Sequence, residues 1–189
     1  TNNITFDNGD GTFGTLQLTG NNATIIENAA TDIGASILGG TLTVDSAGNI
    51  TDGGTISVIG TTTLDAGANN ITLDNGTGTF GTLVLTANNA TVDENASTDI
   101  GTSTIAGTLT VDSAGNITDS GNLSVTGNAS FQGTNITIGD SSVADLGSID
   151  FAGSGAVTIS DASAMIVSGT STAGAGLTLT SSSDIALDG

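Results

Sequence analysis

A block of thirteen residues occurs twice in this chain without a single change. The block GTLTVDSAGNITD fills positions 40–52 and returns at 107–119. The similarity extends beyond it, because residues 1–67 and 68–134 align without gaps and share 44 of 67 positions. A diverged third copy follows over 135–189. Self-similarity at a fixed long period is typical of solenoids and arrays, so we expect one segment, 1–189, built from three copies of one unit.

Apolar and polar residues alternate inside each unit with the period of a β-strand. Leu42 and Val44 flank Thr43, and Ile71 and Leu73 have the same spacing. This alternation, together with abundant threonine, predicts short strands. No segment has a helical apolar period of useful length, and none approaches the roughly 18 apolar residues of a membrane span. The chain is therefore predicted to be all-β.

The apolar positions fall into three alternating series whose members lie about 22 residues apart. Three short strands would then make one coil, and three coils would make one 67-residue unit. This is the geometry of a parallel β-helix (β-solenoid), whose coils stack about 4.8 Å apart. The general preference of parallel crossovers predicts a right-handed winding. Unequal coil lengths predict an outward bulge within 93–108. The second series runs Ile4, Ile25, Ile50, Ile71, Val92, Ile117, Ile136, Val157 and Ile185.

An asparagine precedes almost every strand of that second series. Asparagine tolerates the backbone conformations of tight turns, and amides stacked coil on coil can hydrogen-bond along the rod. We therefore predict a structural turn ladder formed by Asn3, Asn22, Asn49, Asn70, Asn89, Asn116 and Asn135.

The residue types that are missing exclude most kinds of functional site. The chain has no Lys, Arg, His or Cys, and its 19 Asp and Glu residues give a net charge of −19. Without cations it cannot neutralise phosphates, so nucleic-acid binding is not expected. Without His or Cys, zinc sites and the common acid–base and nucleophile pairs lose their usual members. The remaining polar residues would still allow hydrolysis by a pair of carboxylates, or calcium binding.

Long strings of this sequence resemble a known class of bacterial surface protein. The stretch GTLTVDSAGNITDGGTISVIGTTTLDAGANNITLDN is similar to the repeats of filamentous-haemagglutinin-like adhesins. The resemblance covers the whole chain, most closely up to about residue 140. It implies a right-handed parallel β-helix, secretion across the outer membrane, and a stalk that is anchored at the surface or released. It brings no catalytic residues.

One calcium motif is the only candidate for a cofactor site. Asp7 and Asp10 lie in the string DNGDG, which faintly resembles a calcium loop but has the wrong ligand spacing. The second copy carries Thr77 where the first has Asp10, and Asn-Gly turn chemistry explains both copies. We therefore predict no cofactor, with calcium as the alternative.

Other carboxylates recur at fixed positions of the unit. Asp45 and Asp112 end first-series strands, while Asp52 and Asp119 follow second-series strands. Stacked carboxylates of this kind chelate a divalent ion or form a solvated acidic surface, and the second is the usual role of charge.

The neighbouring pair Asp93-Glu94 is the one candidate for a glycosidase pair. Such a pair needs two facing carboxylates at a set separation. Its counterpart in the first unit is Ile26-Glu27, so one carboxylate is lost between copies. A catalytic site is not expected on this ground.

These observations favour a non-catalytic extracellular rod. The first hypothesis is the shaft of a secreted or cell-surface bacterial adhesin, excerpted from a longer chain. The second is a self-assembling extracellular filament or matrix protein, and a third is a β-helix that binds or cleaves polysaccharide. The expected partners are neighbouring repeats, further copies in fibres, and a host or cell-surface receptor bound elsewhere in the parent chain.

Overall fold

Short strands follow one another along the whole described chain, which in this computed structural model comprises residues 2–7 and 11–188. All pairings among these strands are parallel, and no helix in the described residues is long and apolar enough to span a membrane. The strands are β1 Ile4–Phe6, β2 Thr15–Leu16, β3 Thr19–Gly20, β4 Ala23–Glu27, β5 Thr31–Ile33, β6 Ser36–Leu38, β7 Leu42–Ser46, β8 Ile50–Asp52, β9 Ile56–Asp65, β10 Ile71–Ala87, β11 Ala90–Glu94, β12 Thr98–Ile100, β13 Ser103–Ile105, β14 Leu109–Ser113, β15 Ile117–Asp119, β16 Leu123–Gly133, β17 Ile136–Ile138, β18 Ala144–Gly153, β19 Val157–Asp161, β20 Met165–Ser168, β21 Thr172–Ala173, β22 Leu177–Ser181 and β23 Ile185–Asp188.

Each strand pairs with strands about one coil before and after it, which confirms the predicted parallel β-solenoid. Ile50 stacks on Ile71, Ile71 on Ala90, and Ala90 on Leu109. The solenoid makes about nine turns of about 20 residues each. The coil is therefore slightly shorter than the predicted 22 residues, and the right-handed winding stays a prediction.

The shorter coil changes which residues share a face. Ile25 pairs with Val44, whereas Ile50 pairs with Thr31 on one side and Ile71 on the other. The prediction that Ile25 and Ile50 stack in one series is wrong. The prediction assumed that the 67-residue unit contains a whole number of coils. The observed backbone pairing gives coils of about 20 residues, and 67 is not a multiple of that length.

One unit spans three coils and one further strand. Ile4 lies in the first ladder, which runs β1–β4–β7–β9. Its counterpart Ile71 lies in the second ladder, which runs β5–β8–β10–β11–β14–β16–β18. The next counterpart, Ile138, lies in the third ladder, which runs β12–β15–β17–β19–β22. Successive repeats are therefore rotated about the rod axis by about one third of a turn.

Alternation along each strand separates an aliphatic core from a polar surface. In β14 the side chains of Leu109 and Val111 are buried, while Thr110 between them is exposed. On the outside, Thr72 and Thr91 stack in register beneath Thr110, where β-branched side chains suit the pleated surface. A slip of one residue would bring every threonine inside, so the alternation fixes the register.

The outward bulge lies at 74–77 and not within 93–108. The pairing of β10 with β11 passes directly from Leu73 to Gly78, so the four residues between them project from the coil. Residues 93–108 instead contain β12 and β13, which stack on β10. The predicted position was wrong because it assumed longer coils than backbone pairing allows.

Engineered disulfides test this register directly, because the chain has no cysteine of its own. Ile26 and Asp45 are stacked partners on adjacent strands, whereas Thr51 lies in another ladder. We expect Ile26→Cys with Asp45→Cys to form a disulfide on mild oxidation, because neighbouring strands are about 4.8 Å apart. The control pair, Ile26→Cys with Thr51→Cys, should stay reduced, as measured by thiol titration. A disulfide in the control alone would restore the 22-residue series.

Candidate functional site

The seven asparagines of the predicted turn ladder are divided among three separate ladders. The first two precede strands of the first ladder, the next three precede the second, and the last two precede the third. One continuous ladder of seven is not formed. Within the first unit Asn49 already precedes a strand of a different ladder from Asn3 and Asn22, and each later unit is rotated by a further third of a turn. The amide-to-amide bonds run from Asn22 Nδ2 to Asn3 Oδ1 (3.2 Å), from Asn89 Nδ2 to Asn70 Oδ1 (3.0 Å) and from Asn135 Nδ2 to Asn116 Oδ1 (3.0 Å).

Six of the seven asparagine oxygens, all except that of Asn3, also accept a backbone N–H from the next coil. The N–H of Thr108 donates to Asn89 Oδ1 at 2.9 Å, and Asn70 N–H donates to Asn49 Oδ1 at 3.0 Å. These bonds satisfy turn N–H groups just before the strand ladder resumes. An eighth asparagine, Asn122, receives the N–H of Val143 in the same way at 3.1 Å. Asn122 was not predicted, because it precedes a strand of another apolar series, where asparagine does not recur in the sequence.

The close approach of coils at these turns requires glycine. A Cβ added to Gly107 would overlap the Oδ1 atom of Asn89 and come within 2.9 Å of the Asn88 carbonyl oxygen. The Asn-Gly pairing across coils is therefore a packing constraint as well as a hydrogen-bonding one.

Glu27 and Glu94 are equivalent in the two repeats and are buried in the rod. Each is about 1 % exposed. Their Oε1 atoms accept a backbone N–H from the preceding coil, from Phe13 at 2.6 Å and from Phe80 at 2.7 Å. Thr98 Oγ1 donates to the second oxygen of Glu94 at 2.8 Å. Burial raises the pKa of the Glu94 carboxyl, and the two hydrogen bonds lower it by less. Sequence analysis did not identify this role, because glutamate is normally a surface residue.

The candidate glycosidase pair Asp93-Glu94 is not brought together. The two residues are neighbours on β11, where successive side chains point to opposite faces. Glu94 points into the rod and Asp93 points outward, half-buried, against Asp112 of the next coil. The arrangement lacks the facing carboxylates that glycoside hydrolysis requires.

Asp52 and Asp119 hold outward turns of the following coil. Asp52 accepts the N–H of Asp74 at 3.0 Å at the start of the 74–77 bulge. Asp119, only 5 % exposed, accepts the N–H of Gly139 at 3.0 Å and the hydroxyl of Ser142 at 2.6 Å. Burial raises the pKa of both carboxyls more than these bonds lower it. Both therefore bind backbone where the sequence also allowed a divalent ion.

The other acidic candidates lie at the surface. Asp45 stacks on Asp65, and Asp112 stacks between Asp93 and Gln132. Within residues 2–7 and 11–188 there is no group of three or more side chains suited to holding a metal ion.

The two calcium candidates of the first unit are Asp7 and Asp10. Asp7 is exposed. Asp10 lies outside the described residues.

A shallow groove of about 430 Å³ crosses four coils on the outside of the rod. Its lining is mainly Ser, Thr, Gly and Ala, and it contains one carboxylate, Asp112. Gln132 Nε2 donates to Asp112 Oδ2 at 2.8 Å, so that carboxylate is already hydrogen-bonded. With one carboxylate, the groove lacks the two facing carboxylates that glycoside hydrolysis requires.

Comparison with known proteins gives one match. A family model described as "Repeats of unknown function (DUF5649)" matches residues 20–87 and again residues 87–142, about two thirds of the chain in total. The two matches start one repeat apart, as the internal alignment does. No curated protein matches the chain, and no solved structure matches it.

Removing one ladder amide should destabilise the rod measurably. Asn89→Ala leaves the Thr108 N–H without its acceptor, and we expect a loss of about 1–2 kcal/mol in the free energy of unfolding. The matched control is Asn95→Ala, an exposed asparagine, with a change of about 0.5 kcal/mol or less. Urea denaturation followed by circular dichroism measures both. Equal effects would show that the ladder bond contributes nothing.

The buried Glu94 carboxyl should make the rod more stable in acid than at neutral pH. Because its pKa is raised on folding, the unfolded chain loses this proton at a lower pH than the folded chain. Stability is therefore highest below the ordinary glutamate pKa and falls as pH rises through the raised value. Urea midpoints between about pH 4 and pH 7 should show this fall.

Glu94→Gln should reduce that pH dependence, since the amide cannot ionise. The control Asp45→Asn removes one exposed charge and should leave most of the dependence in place. A Glu94→Gln profile parallel to that of the unmodified chain would contradict the assignment.

Proposed function

Because the chain belongs to the family described as Repeats of unknown function (DUF5649), its role has to come from its geometry, and we propose a non-catalytic structural shaft of a secreted or cell-surface bacterial adhesin. The observation that carries this proposal is an uninterrupted backbone ladder along the rod. The second ladder continues from β5 through β18 to β20 and β23 without a break. Such a rod gains length by adding copies of one unit.

The direction of the hydrogen bonds supports a mechanical role. In a solenoid the N–H···O=C bonds between coils run along the rod axis, so a pull along the axis is shared among the strands of each coil. The core supports the same role, because Ile50, Leu109 and Ile136 are fully buried in successive parts of the rod. Each unit is therefore held to the next in the way that its own coils are held together.

The disposition of the carboxylates supports a role without catalysis. Glu94 and Asp119 are used to bind backbone, and Asp93 points away from Glu94. In this proposal a receptor binds elsewhere in a longer parent chain, and the rod sets the distance between that site and the cell. The likeness to filamentous-haemagglutinin-like repeats agrees with an extracellular or cell-surface location.

A self-assembling filament is a second candidate, favoured by one surface feature. Ile37 and Ile59 are 66 % and 76 % exposed on neighbouring coils. Their counterparts in the second repeat are Thr104 and Thr126, so the apolar pair is confined to one repeat. A lateral contact between rods would cover it.

Insertion of one extra copy of residues 68–134 tests the shaft. We expect a monomeric rod that is longer by about 16 Å, because the unit adds three coils and one strand at about 4.8 Å per coil. Small-angle X-ray scattering and sedimentation measure the length and the mass. The matched control inserts the same residues in scrambled order and should not extend the rod.

Two outcomes of this experiment would contradict the shaft. A compact or misfolded product would show that the units do not add. Concentration-dependent fibres, formed by the parent rod as well, would favour the filament, and Ile37→Thr with Ile59→Thr should then reduce them.

A further inference from the structure

The rod carries an unusually dense and uncompensated negative charge. Its 19 carboxylates have no Lys, Arg or His in the chain to pair with. About nine turns at about 4.8 Å give a rod of about 43 Å, or about one carboxylate for every 2.3 Å of axis. Among the described residues Glu27, Glu94, Asp119 and Asp161 are buried, and the other 15 of the 19 carboxylates correspond to about one per 3 Å of axis. Double-stranded DNA has about one charge per 1.7 Å, so the two linear charge densities are of the same order.

The rotation of successive repeats spreads this charge around the rod. Asp45 and Asp65 lie in the first ladder. In the second ladder Asp112, the counterpart of Asp45 in the next repeat, stacks on Asp93. Asp99 lies outward on β12 of the third ladder. The three ladders therefore all present carboxylates, and the charge is not confined to one acidic face.

Stacked carboxylates on the surface lack a positively charged neighbour. Asp45 and Asp65 are directly in register, and like charges in that position repel. In the second repeat the place of Asp65 is taken by Gln132, whose Nε2 donates to Asp112 Oδ2 at 2.8 Å. The first repeat has the same stacking with a second carboxylate in place of that donor. A cationic N–H donor from outside the chain would supply what Gln132 supplies.

We propose that the rod binds a lysine- or arginine-rich polypeptide along its length, as a polyanion binds a polycation. The high linear charge density attracts counterions, and a polycation releases them when it takes their place. Lysine side chains reach stacked pairs such as Asp45 and Asp65, and a flexible peptide follows them from one ladder to the next. A single divalent ion fits less well, because no cluster of three or more acidic ligands is present in residues 2–7 and 11–188.

The probe for this interaction is fluorescein-labelled decalysine, measured by fluorescence anisotropy with the folded rod. We expect binding at about 50 mM NaCl and an affinity at least tenfold lower at about 200 mM. The variant Asp45→Asn, Asp65→Asn, Asp93→Asn, Asp112→Asn should bind several-fold more weakly and with a smaller salt dependence. The control carries Thr43→Asn and Thr110→Asn on the same ladders and should bind like the unmodified rod. Circular dichroism checks that every variant is folded.

Three results would overturn the proposal. They are an absence of decalysine binding at low salt, an affinity that does not change with salt, and equal binding by the four-carboxylate variant. The shaft is tested separately by rod length, so either idea can fail without the other.

Discussion

Parallel backbone pairing between coils of about 20 residues is the constraint on which the rest of this structure depends. Each N–H and C=O has to find its partner in the coil above or below, so coil length is fixed by the ladder and not by the repeat. The inward and outward alternation of Leu109, Thr110 and Val111 then follows, because only one register buries the aliphatic side chains. The 67-residue unit is longer than three of these coils by one strand, so each copy is rotated about the rod axis relative to the copy before it.

The same constraint explains the kinds of polar residue found inside the rod. Wherever the chain turns a corner, a backbone group loses its strand partner and needs another. Ser103 Oγ shows the solution in the core, since it accepts the N–H of Leu85 at 3.0 Å and donates to the Gly101 carbonyl at 2.9 Å. Asn89 and Glu94 do the same at other corners. In a chain without cations, backbone N–H and hydroxyl groups are the donors available to buried carboxylates, as at Glu94, whereas Glu27 Oε2 and Asp161 Oδ2 have no hydrogen-bond partner.

The fold class could be predicted from the sequence because alternation such as Leu42-Thr43-Val44 is a local signal. The predicted coil was about two residues too long. The spacing of apolar residues along the chain does not by itself show which strands stack on each other. That small error reassigned Ile25 and Ile50 to one face and placed the bulge wrongly. The asparagine turns were found for the right chemical reason, but their division among three ladders depends on the coil count.

Glu94 could not be predicted as a buried residue from the sequence. Its burial depends on the backbone N–H of Phe80, which lies 14 residues away and is brought near only by the coil. Asp52 and Asp119 likewise read as surface charge until the turns that they hold are visible. The general lesson is that local periodicity predicts strands, whereas the partners of a side chain one coil away require the register.

The bulge at 74–77 occurs at one position of the unit, and the one-third rotation gives it a mechanical consequence. Any such irregularity makes a coil thicker on one side and so tilts the stack slightly toward the other. If every unit tilted the stack in the same direction, a long array would curl into an arc. If every unit carries the same bulge, each tilt would point one third of a turn further round than the last, and three units, about ten coils, would cancel the deflection. A long array would then stay straight, although each unit alone is asymmetric.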